Sequence, residues 1–317
     1  MKEITTVTGI IAPEELGFCQ CHEHIALSKG RSFEINPALC IDDMAKSLEE
    51  LNQYHHFGGN SLIEAQPCGC NRMAPEFRKL SEESGVHIIA STGFHKLTFY
   101  PENHWIYTLP ASDLEELFVR ELTEGMFIDA DLAFPTIQCD AKAGIIKTAY
   151  DTEELSSRYK EMFLAAARAS LRTDRVIMIH IEQGTDPRPL QDYLLSLGVA
   201  AKDLIFCHMD RACKDITMHK DILKNGSYLE FDTIGRFKYH SDEHEIGLFR
   251  ELIDAGYQYK LLYSLDTTRA RLKAYDSSAI GLDYILRTFN ESLLASGISK
   301  EILHLISVEN PAQVLTQ

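Results

Sequence analysis

The chain has 317 residues, 45% hydrophobic and 25% charged, with only 10 prolines, which excludes a disordered, collagenous or disulfide-stapled chain and leaves enough length to bury a large core. Asp and Glu number 47 against 31 Lys and Arg, a formal charge of −16, so nucleic acid and anionic membranes are not expected partners. The opening MKEITTVTGIIAPEELGF has no basic stretch before an apolar core, and no run reaches the ~20 apolar residues of a membrane span. The expected location is cytoplasmic, with the eight cysteines (Cys19, Cys21, Cys40, Cys68, Cys70, Cys139, Cys207 and Cys213) as free thiols.

Residues 3–12 read as a small hairpin. Eight short apolar, β-branched runs follow, at 17–22, 59–66, 86–94, 143–149, 175–182, 203–209, 227–234 and 259–266. Helical periodicity fills 41–54, 74–84, 152–172, 187–197, 214–224, 242–255 and 279–296, with glycines at 58, 85, 198, 226 and 256 where helices should end. Residues 100–112 form a long loop after the third strand, and Ser112-Asp113-Leu114-Glu115 has the form of a capping box opening the next helix. Eight strand–helix units without a linker, and without a GxGxxG or GxxxxGK[ST] loop, fit a single α/β domain over 1–317. That domain is a (β/α)8 TIM barrel behind a short N-terminal hairpin.

Side chains at the C-terminal ends of barrel strands share one open mouth, and reactive types gather there. His22 and His24 end the first run, Lys147 lies in the fourth, His180 in the fifth, His208 in the sixth and Asp266 ends the eighth. Alternation turns His22 and His24 to the same side, about 7 Å apart at Cα, while Glu23 turns away. Four imidazoles and a carboxylate suit two divalent metal ions, with zinc the best match and manganese, cobalt or iron the alternatives. The other nine histidines, His95 and His104 among them, read as ordinary core or loop residues, since they fall in helices, at strand starts or in loops. An ammonium beside divalent metal is costly to bury. Lys147 is therefore expected as a carbamate able to bridge metals about 3.5 Å apart, the other reading being a solvated or substrate-binding cation.

Several segments together resemble the phosphotriesterase family of the amidohydrolase superfamily: CHEHI at 21–25, STGFH at 91–95, KAGIIK at 142–147, CHMD at 207–210, FDTIGRFKY at 231–239, SLDTTRARLKAY at 264–275 and VENPAQVL at 308–315. The resemblance implies one metal on His22, His24 and Asp266 and a second on His180 and His208. Carboxylated Lys147 and a hydroxide would bridge them, and the assembly would often be a homodimer. Cys21 departs from the threonine or leucine usual before HEH, and the aspartate common at the end of strand two is replaced by Glu64 or lost. If His22 and His24 face the barrel interior, parity sends Cys19 and Cys21 to the helical layer as packing residues. Cys68 and Cys70, in the loop PCGCN, stay open as a reactive thiol or a chance metal site.

Such a centre hydrolyses its substrate with a metal-activated water, and Asp266 is placed to act as general acid/base. Arg269, Arg271 and Lys273 follow the eighth strand, and Arg236 and Lys238 the seventh, where barrels often hold a phosphate. Lys238 and Arg269, beginning their loops, are the expected phosphate pair. Within the resembled family these loops look like those of lactonases acting on phosphorylated sugar lactones. The expected reaction is opening of an aldono-1,4-lactone phosphate, with Tyr100 as an oxyanion donor or a packing residue. A phosphotriester or aryl-ester hydrolase and a non-catalytic metal-binding barrel are the rival readings.

Overall fold

A computed structural model describes residues 2–213 and 215–316. β1 (Ile4–Thr6) and β2 (Gly9–Ile11) pair antiparallel, with Ile4 opposite Ile11. Eight parallel strands follow: β3 (Cys19–Glu23), β4 (Ser61–Glu64), β5 (His87–Gly93), β6 (Ala143–Tyr150), β7 (Ile177–Ile181), β8 (Leu204–Cys207), β9 (Tyr228–Phe231) and β10 (Leu261–Tyr263), each hydrogen-bonded to the next in chain order. The ring closes beyond the last ladder, where the Asp266 amide donates to the His22 carbonyl at 3.0 Å and the His22 amide to Ser264 Oγ at 2.8 Å. Glu23 acts as a buckle: its carboxylate accepts from Ser264 Oγ, the Leu265 amide, and both the amide and hydroxyl of Thr267.

The eight barrel strands are buried on both faces, which is why the runs are apolar almost throughout rather than strictly alternating. Outward residues such as Leu62, Ile88, Ile146, Ile179 and Phe206 pack against helices 44–56, 74–84, 111–123, 157–173, 188–196, 216–224 and 242–254. Inward residues Ile63, Ile89, Ile145, Met178, Ile205 and Leu262 fill the lower barrel, with Ile4, Leu16, Val314 and Leu315 in the same cluster. No helix among the described residues is long and apolar enough to cross a membrane.

Three local expectations are corrected. The helix after β5 starts at Ala111 behind Pro110, and Ser112 makes no cap; its hydroxyl donates instead to Asp113 Oδ1. The expected helix 279–296 is a π-helical turn over Ile285–Phe289 continued by an α-helix over Asn290–Ala295. Cys19 and Cys21 belong to the inner cluster, not the helical layer. The reason is a bulge: β3 spends Cys21 and His22 against the single residue Ile63 of β4, between the pairs Gln20–Leu62 and Glu23–Glu64. One extra residue resets the alternation, so Cys21 and the two histidines share the interior.

Candidate metal centre and its cavity

The six residues expected as ligands are brought together above the apolar layer. His22, His24, Lys147, His180 and His208 are buried, and Asp266 is nearly so. His22 Nε2 is 3.2 Å from Lys147 Nζ, His24 Nε2 is 3.6 Å from Asp266 Oδ1, and His180 Nδ1 is 2.7 Å from His208 Nε2. His22, His24 and Asp266 can each offer an atom within 4.8 Å of the others. Gly93 makes room for the lysine strand: a Cβ there would lie 1.9 Å from the Lys147 carbonyl oxygen, which the Phe94 amide binds at 2.8 Å. His208 and Asp266 both take the left-handed region, at φ 60° and 49°. That conformation costs about 1–3 kcal/mol for a non-glycine residue and is held where the surroundings fix it, commonly at functional sites.

Each imidazole turns one nitrogen to the centre and the other toward a carboxylate. His208 Nδ1 is 2.5 Å from Asp232 Oδ1, His22 Nδ1 is 3.2 Å from Asp232 Oδ2 and 3.4 Å from Glu230 Oε2, His24 Nδ1 is 3.3 Å from Glu64 Oε1, and His180 Nε2 is 3.3 Å from Glu182 Oε2. Outer carboxylates of this kind set the tautomer and aim of metal-binding histidines. Burial lowers the basicity of His180, to about 3, and of His208, so both lone pairs are available. Burial alone would raise the Asp266 carboxyl, but the Arg236 guanidinium, 3.0 Å away, and nearby imidazoles hold it well below the usual carboxylate range. Both oxygens of the fully buried Glu230 lack a hydrogen-bond donor. Converging imidazoles, a charged carboxylate and a buried carboxyl group without a donor fit divalent cations.

Above the ligands opens a cavity of about 250 Å³, whose wall includes His95, Lys96, Arg211, Arg236, Lys238 and Tyr239. Lys96 is taken up by Glu182 at 2.6 Å and Arg236 by Asp266. Among the described residues, Arg211 and Lys238 have no carboxylate partner within salt-bridge distance; each lies against the Tyr239 ring, at 5.2 and 4.6 Å. Arg269, expected beside Lys238, does not line this cavity: it sits over Tyr275, 3.4 Å from Asp42. Tyr100 is buried behind the wall, its hydroxyl accepting from the His95 amide and donating to the Cys68 carbonyl, so packing and positioning of His95 is its observed place. Cys68 and Cys70 are buried too, and burial pushes the Cys70 thiol up to about 12, which argues against the reactive-thiol reading.

Sequence reasoning missed Arg211, three residues after a ligand, and Arg236 as the partner of Asp266. It also missed Glu230 and Asp232, although two acids at alternate positions of an apolar strand are a readable signal of inward polar groups.

The model of the phosphotriesterase family matches residues 2–315. A phospho-furanose lactonase of Mycoplasmopsis synoviae is 28% identical, the alignment covering 99% of this chain and 92% of that protein. The crystal structure of an amidohydrolase from Mycoplasma synoviae superposes with a TM-score of 0.94 at 27% identity, covering 99% of this chain and 92% of that one. A phosphotriesterase homology protein from Escherichia coli, solved with phosphate in its active site, gives 0.85 at 27% identity, covering 95% and 99%. The chain belongs to the phosphotriesterase family of hydrolases.

Proposed function

We propose that the chain hydrolyses a phosphorylated sugar lactone, opening the ring of an aldono-1,4-lactone phosphate. Two divalent cations, zinc by the donor set, held by His22, His24 and Asp266 and by His180 and His208 with carboxylated Lys147 between, would polarise the lactone carbonyl and acidify the attacking water. Asp266 Oδ1 accepts that water's proton and returns it to the ring oxygen as the C–O bond breaks, while Arg236 holds Oδ2 and keeps the group ionised beforehand. Arg211 and Lys238 bind the phosphate, and Tyr239 holds both cations at one side of the cavity.

The observation that carries this reading is that pair of cations without carboxylate partners, kept at the mouth of a protein with charge −16. A neutral phosphotriester or aryl ester would gain nothing from them, and a closed structural metal site would have no cavity. The relative named a phospho-furanose lactonase supports the same substrate class. The test compares wild type with R211A and K238A on phosphorylated lactone, its unphosphorylated analogue and a paraoxon-type triester. Each variant should raise KM for the phosphorylated lactone by about 10-fold, the value of one charge-assisted hydrogen bond, and leave the analogue unchanged. Equal changes on both lactones, or faster turnover of the triester, overturns the proposal.

A further inference from the structure

A second group of ligand-type side chains lies behind the mouth and takes no part in the hydrolysis above. Asp210 follows β8, His240 ends the loop after β9, and Glu245 sits in the first turn of helix 242–254. Each can offer an atom within 4.8 Å of the other two. Asp210 and Glu245 are 4% and 0% exposed, and the His240 side chain is 10% exposed. Neither Glu245 oxygen has a hydrogen-bond donor, although His240 Nε2 approaches Oε1 to 3.2 Å. Asp210 Oδ2 accepts from the amide and hydroxyl of Thr233, both at 2.6 Å, and leaves Oδ1 without a donor.

Two carboxylates closed off together, with three oxygens unpartnered, leave negative charge that burial makes expensive. Burial first and the Asp210 carboxylate second push the Glu245 carboxyl well above its ordinary range, the same imbalance seen from the proton's side. His240 Nδ1 lies 3.3 Å from the Ser241 carbonyl. With an ion bound, a proton on Nδ1 to meet that carbonyl would free the Nε2 lone pair, which otherwise carries a hydrogen toward Thr233 Oγ1, whose own proton goes to Asp210. Tetrahedral zinc, with ligands about 2.0–2.1 Å away, spaces its donor atoms about 3.3 Å apart. His240 Nε2 stands 3.2 Å from Glu245 Oε1 and 3.9 Å from Asp210 Oδ2.

We infer that Asp210, His240 and Glu245 form a binding site for a further divalent cation of the zinc class, separate from the mouth. Two carboxylates neutralise its charge, the imidazole supplies the nitrogen donor, and the hydroxyl of Thr233, 3.0 Å from His240 Nε2, lies beside it. Its ligands come from the two segments that carry the cavity's cations: Asp210 next to Arg211 after β8, and His240 at the foot of the segment after β9 that bears Arg236 and Lys238. The ion would fasten that segment to helix 242–254.

The test is a metal count on the full chain, loaded with Zn²⁺, freed of excess by gel filtration and analysed for zinc per folded protein. E245Q and H240A, checked for native circular dichroism, should each hold one zinc fewer than wild type. E245Q placed on an H180A/H208A background should still remove one more than that background loses. If both single variants keep the wild-type count, the site is refuted whatever the total, and the buried charge is met by a shared proton or a protonated His240 instead. If wild type holds a single zinc that E245Q abolishes, this inference stands while the paired-ion reading of the mouth fails.

Discussion

The two ends of one barrel interior follow opposite physics. Below, Ile63, Ile89, Ile145, Met178, Ile205 and Leu262 make a dry apolar layer, in one cluster with hairpin and C-terminal residues. Above, two residues after Ile145 and Met178, the inward positions become Lys147 and His180, and on β9 Glu230 follows Tyr228 in the same way. The lower layer gains from removing apolar surface from water. The upper one bears the cost of burying polar and charged groups so that their geometry is fixed before substrate arrives. The same backbone alternation thus serves stability at one end and chemistry at the other.

The sharpest way to break this contrast is Lys147→Ala. It should lower kcat for the lactone by about 10³-fold, the scale of losing one preorganised electrostatic group, with little change in unfolding midpoint. Turnover within about 10-fold of wild type would show the lysine to be a bystander. Ile145→Ala, one pleat lower, should do the reverse: a stability loss of about 3 kcal/mol in denaturant titration from the cavity it leaves, with KM and kcat near wild type. A smaller effect sharpens the comparison with a buried imidazole outside both layers. His104 Nε2 lies 3.0 Å from the Ala130 carbonyl, Nδ1 accepts from the Ile106 amide, and burial lowers its pKa to about 4. As pH falls from 7.5 to 5.5 the unfolded chain takes up this proton and the folded chain does not. Wild type should therefore lose about 1 kcal/mol more than H104N over that interval. Parallel pH–stability curves for the two proteins would show that His104 titrates normally.

Strand positions were legible because burial on both faces writes an unbroken apolar run, and all eight observed strands fall in or within one residue of the expected segments. The six clustered side chains were legible for a related reason, since the mouth of a barrel is where such runs end. What escaped was set by departures from local pattern. Parity failed for Cys19 and Cys21 because one bulge in β3 carries no sequence signature. Arg269 was misplaced because its partner Asp42 is 227 positions away in the chain, and the open state of Arg211 is likewise a property of distant neighbours. The capping box failed because Pro110 had already begun the helix, which left Ser112 inside it.

That irregularity in β3 puts sulfur and nitrogen on the same side of one strand, since Cys19 and Cys21 share the interior with His22 and His24. Excising His22 at the kink would restore strict alternation, keep His24 inward and leave Cys21 at the step an imidazole had held. A thiolate there would move the preference of any ion bound at the mouth toward softer metals such as copper(I).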